Sequence, residues 1–598
     1  MYDKKPFVRV TDNSADCHVS WASVAAAIRN RMTHRACVVC VECYPGVLLE
    51  SMIAALGKEL AIGKIVRAES CYLDEDALQS RLHPLLTDDP VFGRRSQLTI
   101  ADFLDLEKVR TVQRELAAAR KEDVLVIGTG ASLVTEHRDV LVYADMARWE
   151  IQQRQRRSLI GNLGAHNQDE RASLKYKRSY FVDWPAADRL KRGLLTSIDF
   201  LLDTNDAETP KLITGVSFHA GLAAATRRPF RLVPLFDPGP WGGHWMEEIC
   251  DLPKDKPNHA WCFDCVPEEN SLLLGFGSHR VEVPAMDLVL LHPHALLGEE
   301  VFSAFGAEFP IRFDFLDTMG GGNLSLQVHP LRDYIRNAFG MDYTQDESYY
   351  LLDAGEDASV YLGLREDVEP ERMMQELRDA QKNTQARFDV ERHVNRFPAR
   401  KHDHFLIPAG TVHCSGRNGM VLEISATPYI FTFKLWDWGR LGLDGVPRPI
   451  HLEHGAANIC WDRRTEWVKQ SLINRVEPVA SGAGWREERT GLHELQFLET
   501  RRHWFTARVE HHTRGTVHVL NLVEGDCVIV ESPDGAFEPM EFHFAETFVV
   551  PASVGRYSIR PAGDATELLR EYATIKAYVR DGIRGWMQGS GTSEGTQR

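Results

Sequence analysis

Residues 320–334 read GGGNLSLQVHPLRDY, residues 345–364 read QDESYYLLDAGEDASVYLGL, and residues 402–424 read HDHFLIPAGTVHCSGRNGMVLEI. Each is a short apolar run bounded by Gly, Pro or Asp, the pattern of strands joined by tight turns. Side chains two apart on a strand share a face, so Gln327 and His329 project together. Glu347 heads the strand-like ESYYLLDA, and His413 follows the turn PAGTV. Taken singly, a histidine in an apolar strand is more often a satisfied core residue than a ligand. Gln327 and His329 can converge on one ion inside a barrel, and Glu347 and His413 are further candidate donors in two other β-rich segments. Imidazole and carboxylate are ordinary zinc ligands, and a neutral amide oxygen is a weaker fourth that leaves the ion's charge only partly compensated.

Working outward, the texture from about residue 206 is of short strands separated by Gly, Pro and Asp, with helical insertions at 287–306 and 370–388. A β-rich segment runs from about 471 and ends in the strand-like run from Tyr572 to Arg580. Its HFAETFVVPASVGRYSI echoes HDHFLIPAGTVHCSG, with Arg556 where the first copy has His413. The second copy is therefore expected to bind no metal through this motif. The tail GWMQGSGTSEGTQR has little to bury and is expected to be mobile.

The segments LSLQVHP, ESYYLLDA and PAGTVH, together with WGG at 241–243, FKLWDWGR at 433–440 and GVPRPIHL after it, resemble the class I mannose-6-phosphate isomerases, a zinc cupin family, over about residues 206–583. The resemblance implies a zinc-binding catalytic cupin at 206–470 with helical insertions, a metal-free second cupin at 471–583 and a flexible tail at 584–598. It also implies an enzyme interconverting mannose 6-phosphate and fructose 6-phosphate by moving a proton between C2 and C1 through a cis-enediol. Such a step needs a general base and positive charge where the enediolate oxygen develops, which zinc can supply. Glu423, in the VLEI strand, is either that base or a structural carboxylate paired with a nearby cation. Lys434 stands where the family has an arginine, keeping the charge and losing the planar fork. Gln345 replaces a family lysine two residues before Glu347, so one cation is lost at the substrate side. Arg440 is placed to contact phosphate or to pack among Trp436 and Trp438. The two departures, Lys434 and Gln345, motivate a second expectation: a catalytically weak sugar-phosphate-binding or regulatory protein with a retained zinc cupin.

The first third has another texture. ACVVCVECYPG, DVLVIGTGASLV and DVLVYADMARWEIQQRQRRSLI each read as an apolar strand, and VLLESMIAALGKEL as a helix, which predicts a doubly wound α/β domain at 1–205. The aspartate-ended strand with its Arg-rich helix, and SYFVDWPAADRLKR, resemble a uridine-kinase-like P-loop fold. The fold class expected is thus multidomain: an N-terminal P-loop-like α/β domain followed by two jelly-roll units. A working phosphate loop needs cradling amides and a lysine. The corresponding turn, ECYPGVLLES, has Glu42 at its mouth and no lysine before Lys58. A nucleotide or phosphate ligand of this domain stays open as a possibility, but the departures favour a scaffold that keeps the fold without phosphoryl transfer.

At 598 residues the chain exceeds one hydrophobic core, and three domains are expected. Hydrophobic residues at 43% and charged residues at 26% describe a globular protein. A net charge of -16 argues against nucleic-acid binding, which needs a basic surface. No apolar run of bilayer-spanning length and no signal-peptide core is present, so a cytoplasmic location off the membrane is expected. Eleven scattered cysteines, Cys40 and Cys43 of CVEC among them, read as reduced core thiols.

Overall fold

The computed structural model describes residues 1–32, 36–118, 122–382, 387–426, 430–563 and 570–589. It divides into two compact units. The α/β unit comprises residues 7–225 and 268–291, and the β-rich unit residues 1–6, 226–267 and 292–598.

In the α/β unit the parallel strands lie in the order Lys64–Arg67, Val124–Gly128, Val38–Cys43, Val140–Asp145 and Phe200–Asp203. Lys211–Thr214 and His18–Val19 follow antiparallel at one edge. Helices Trp21–Arg31 and Leu49–Leu60 cover one face, with Val24, Ile28, Met52 and Leu56 against Val39, Val41, Ile127 and Val142. The central strands are apolar along nearly their whole length because both faces are buried. The expected doubly wound sheet is present. Its strand order reverses at Val38–Cys43, and beyond that strand's carboxyl end lies the turn 44–48. Gly46 sits there at φ +116, and a Cβ would stand 2.8 Å from Ile151 Cγ1.

The unit does not end at 205. Lys211–Thr214 and helix Gly215–Ala225 complete it. A hairpin of Ser271–Phe276 and His279–Pro284 also belongs to it, pairing with Phe7–Thr11, and helix Ala285–Leu291 follows. The expected boundary at 205/206 therefore moves to 225, and a piece of the presumed cupin domain returns to the α/β unit. Lys191, on helix Trp184–Leu194, fastens this return: its ammonium is 2.6 Å from Asp145 and also pairs with Asp287 on the returning helix, all fully buried. Burial and the adjacent Asp145 push the Asp287 carboxyl well above the ordinary carboxylate range, so the triad avoids burying two negative charges against one positive.

The β-rich unit holds two antiparallel two-sheet sandwiches. In the first, a six-stranded sheet runs His404–Ile407, Glu347–Ala354, Gly419–Ala426, Ile311–Asp317, Trp261–Cys265 and Leu235–Asp237. Its partner runs Val394–Pro398, Ser359–Leu364, His413–Ser415, Leu326–Val328 and Phe433–Trp436. The second sandwich pairs a six-stranded sheet, containing Trp485–Gly491, Leu498–Phe505, Tyr572–Val579 and His518–Glu524, with a four-stranded one. Phe505, Leu520, Phe548 and Tyr572 from one sheet interlock with Val509, Val528, Phe542 and Ile559 from the other. Instead of two separate cupin domains, the two sandwiches form one compact unit.

The tail departs from expectation at its start: Ile583–Gly589 is helical, with Trp586 Nε1 2.9 Å from the Glu494 carbonyl and its ring against Phe497. Residues 590–598 lie outside the described residues. All eleven cysteines are free, Cys40 and Cys43 buried in the α/β core as expected. Among the described residues no helix is long and apolar enough to cross a membrane.

Removing Lys191 strands two buried acids. Lys191→Met is expected to destabilise the chain by about 3–5 kcal/mol, read as a lower urea midpoint. An unchanged midpoint contradicts the triad's structural role.

Candidate metal centre

Three strands of the first sandwich bring the four predicted donors together. Gln327 lies directly opposite His413 on one neighbouring strand and opposite Lys434 on the other, so these three side chains share a face. Glu347 opens its strand on the facing sheet, opposite Ile407 and Ser425. The turn between His404–Ile407 and His413–Ser415 is set by Gly410, at φ +88, whose amide donates to the His329 carbonyl at 3.0 Å. A Cβ there would meet Cys460 Sγ at 2.7 Å and Leu331 Cδ2 at 2.8 Å, which explains the glycine of PAGTVH. The second sandwich contributes support: Gln496 Nε2 donates to the Glu347 carbonyl at 2.8 Å.

Within this frame His329 Nε2 stands 2.9 Å from one Glu347 oxygen and His413 Nε2 2.8 Å from the other. Gln327 Nε2 is 3.2 Å from His413 Nε2, and a half-turn of the amide would present its oxygen instead. Both imidazoles use Nδ1 on backbone carbonyls, His329 on Phe431 at 2.9 Å and His413 on Thr411 at 2.8 Å. A neutral ring donating from Nδ1 has a bare lone pair at Nε2. Two such lone pairs then face two carboxylate oxygens, all buried, and like-signed acceptors repel unless a cation lies between them. One donor atom each from His329, Glu347 and His413 lies within 4.8 Å of the others. The donor set and its geometry fit a borderline divalent metal such as zinc.

A polar wall surrounds the four donors. Arg312 Nη2 pairs with Glu423 at 2.5 Å, and its Nε with Asp314 at 3.2 Å. Arg312 is thus the nearby cation that the structural reading of Glu423 requires. Burial, then Asp314 and Glu347, pushes the Glu423 carboxyl well above its ordinary range, against the pull of Arg312. Gln345 Nε2 donates to Glu347 at 3.1 Å and approaches Glu423 at 3.5 Å, leaving its Oε1 buried and without a partner among the described residues. Tyr349, fully buried, stacks edge-on to His413 at 5.9 Å. The Lys434 ammonium makes no ion pair among the described residues, and burial, reinforced by Arg448, pushes it down to about 8.

Arg440 is committed elsewhere. Its guanidinium reaches Asp437 at 2.8 and 3.0 Å and the Asn323 carbonyl. Arg448 grips the same Asp437 at 2.6 and 2.7 Å and Ser325 at 2.6 Å, and the Trp241 ring of WGG lies 4.8 Å from it. Sequence reading missed Arg312, Asp314, Tyr349 and Arg448. The first two had a signal: IRFDFLD places Arg312 and Asp314 two apart between apolar residues of a strand that ends in Asp317, and all seven residues are buried.

In the α/β unit a cavity of about 770 Å³ opens at the carboxyl end of the sheet, lined by the turn 44–51, Glu69, Asp74, Lys108 and the loop 159–168. Its chemistry is acidic. Glu50, Glu69, Asp74 and Glu75 line it, and burial pushes the Glu69 carboxyl up to about 7. Glu42, expected at the mouth of the turn, is instead buried and outside the lining, accepting from the Gly130 and Ser132 amides at 2.6 and 2.8 Å. The lining cations are already paired, Arg67 with Glu50 at 2.6 Å and Lys108 with Asp74 at 2.8 Å.

Residues 20–227 match a family model described as a domain of unknown function, DUF8485. Among curated proteins, the chain is 26% identical over 229 residues to the probable mannose-6-phosphate isomerase GmuF of Bacillus subtilis (strain 168), covering 38% of this chain and 66% of that relative. It is also 26% identical over 215 residues to the mannose-6-phosphate isomerase of Streptococcus mutans serotype c, covering 36% and 62%. The chain thus spans somewhat less than two thirds of the length of these relatives. Two solved structures align with 59% of the chain at 17% identity: the mannose 6-phosphate isomerase from Bacillus subtilis, covered in full with a TM-score of 0.47, and a mannosephosphate isomerase homologue from Archaeoglobus fulgidus, 98% covered with a TM-score of 0.44. Over part of its length the chain is homologous to mannose-6-phosphate isomerases, and its α/β unit matches a family without an assigned function.

Proposed function

We propose that the β-rich unit is a zinc-type cupin isomerase that interconverts mannose 6-phosphate and fructose 6-phosphate. The observation that carries this reading is the pair of imidazole Nε2 atoms turned onto one buried carboxylate beside Gln327. Gln327, His329, Glu347 and His413 would hold the zinc, and when bound the metal supplies positive charge for a developing enediolate. A base takes the proton from C2 of the open-chain aldose as the carbonyl electrons move to O1. A proton returns to C1 as the C2 hydroxyl becomes the ketone. Glu423 is the carboxylate available for this transfer, with Arg312 holding it in place. Gln345 bridges Glu347 and Glu423 through its Nε2, and its free Oε1 is available to accept from a substrate hydroxyl. The unpaired Lys434 ammonium is placed to stabilise oxyanion charge.

A second reading, a sugar-phosphate binder with weak turnover, is favoured by one observation. Arg440 and Arg448 are both committed to Asp437, so Lys434 is left as the main cation for substrate. Binding of fructose 6-phosphate with no interconversion by the zinc-loaded protein would select it. For the α/β unit we infer a scaffold related to P-loop folds that performs no phosphoryl transfer. Its cavity is lined by Glu50, Glu69, Asp74 and Glu75, with Arg67 and Lys108 already paired, where phosphates would need amides and a lysine. ATP turnover by the full chain at kinase rates of roughly 1 to 100 per second would refute that inference.

His413→Ala is expected to remove about one zinc per chain in metal analysis, whereas Arg556→Ala leaves zinc content unchanged. Lys434→Ala is expected to lower isomerase turnover by roughly 10 to 1,000-fold with the fold intact. Burial depresses the Lys434 pKa to about 8, so its charge is complete below that pH and lost above it. Turnover should accordingly fall as pH rises through about 8, and Lys434→Arg should move that fall to higher pH. A pH profile identical in both proteins excludes the ammonium as its source.

A further inference from the structure

We propose that Cys527, Glu541 and His543 form a second metal site, suited to zinc or a similar divalent transition metal, on the outer face of the second sandwich. The site owes nothing to the position of Arg556. Val528 and Val530 on strand Cys527–Glu531, and Phe542 on Met540–His543, point into the sandwich core. Their neighbours Cys527, Glu541 and His543 therefore point outward. Cys527 lies directly across from His543, and Ile529 across from Glu541, so the three side chains share one small patch. One sulfur, one nitrogen and one oxygen donor lie within 4.8 Å of one another. Met540–His543 is the edge strand of its sheet, Glu541 is exposed and the other two residues are half-buried, so an ion can reach them.

His543 Nδ1 stands 3.4 Å from Glu546 Oε2 without a hydrogen bond to it, so this buried nitrogen has no hydrogen-bond partner among the described residues. Glu546 is itself fixed, by Arg231 at 2.6 Å, by the Asp3 amide at 2.6 Å and by the His543 amide at 2.8 Å. Thiolate, imidazole and carboxylate form a mixed donor set appropriate to a borderline ion, and three protein donors leave a position for water. Without metal, burial and the neighbouring Glu541 and Glu546 push the Cys527 thiol up to about 11. On coordination the S–H bond breaks, its proton passes to solvent and the sulfur–metal bond forms. Absent a metal, Cys527 is an ordinary half-buried thiol 3.8 Å from the Val528 carbonyl, and the experiment separates the two states.

Cobalt(II) titrated into the metal-stripped full-length protein should develop a thiolate-to-cobalt charge-transfer band in the near ultraviolet. The Gln327, His329, Glu347 and His413 set contains no sulfur and cannot produce that band, so His413→Ala should retain it. Cys527→Ser should abolish it, and zinc should displace it in the natural protein. Cys527→Ala repeats the test if the serine variant loses its fold by circular dichroism. No such band at saturating cobalt, or a band that survives loss of the Cys527 sulfur, overturns the proposal.

Discussion

Everything in the first sandwich is arranged around the carboxylate of Glu347, which receives an imidazole Nε2 at each of its oxygens while both rings spend their Nδ1 protons on backbone carbonyls. That arrangement fixes both tautomers. It also ties down the entries to two strands, Phe433–Trp436 and His413–Ser415, because the carbonyls of Phe431 and Thr411 must be presented to the rings. Buried acceptor atoms turned on one another are costly without a positive charge between them. The same requirement explains why Gln345, a neutral donor, is tolerated where it bridges Glu347 to Glu423.

The wall around this centre is balanced by pairing. Arg312 answers Asp314 and Glu423, and Asp437 takes up Arg440 and Arg448. Lys434 is the exception: among the described residues it forms no ion pair, and burial and Arg448 weigh against its charge, offset in part by Asp437. Such a group is poorly justified by stability, since burial works against its charge.

Much of the centre was legible in the sequence because its donors sit inside short local patterns. LSLQVHP and PAGTVH encode strand alternation and a glycine turn, and those two rules suffice to aim Gln327, His329 and His413. Arg440 was less legible. Its partner Asp437 is only three residues away, but the competing Arg448 and the Trp241 ring are brought in by tertiary contacts. Arg312 and Asp314 were not read from the sequence, because the Glu423 that pairs with Arg312 lies more than a hundred residues later. The boundary of the α/β unit failed for a similar reason. Ser271–Phe276 carries no local mark that it pairs with Phe7–Thr11.

That pairing has a consequence for how the protein is made. The three-stranded sheet of the α/β unit takes its first strand from residues 7–11 and its other two from beyond residue 270, so the unit cannot close until the ribosome has delivered helix Ala285–Leu291 and its Asp287. The β-rich unit likewise needs residues 1–6, synthesised before the α/β unit and kept waiting until Glu546 and its strands emerge. The chain passes from one unit to the other four times, and a cut after residue 225 or after residue 267 leaves each of them short of a piece. Two ready-made domains joined end to end would not be threaded in this way.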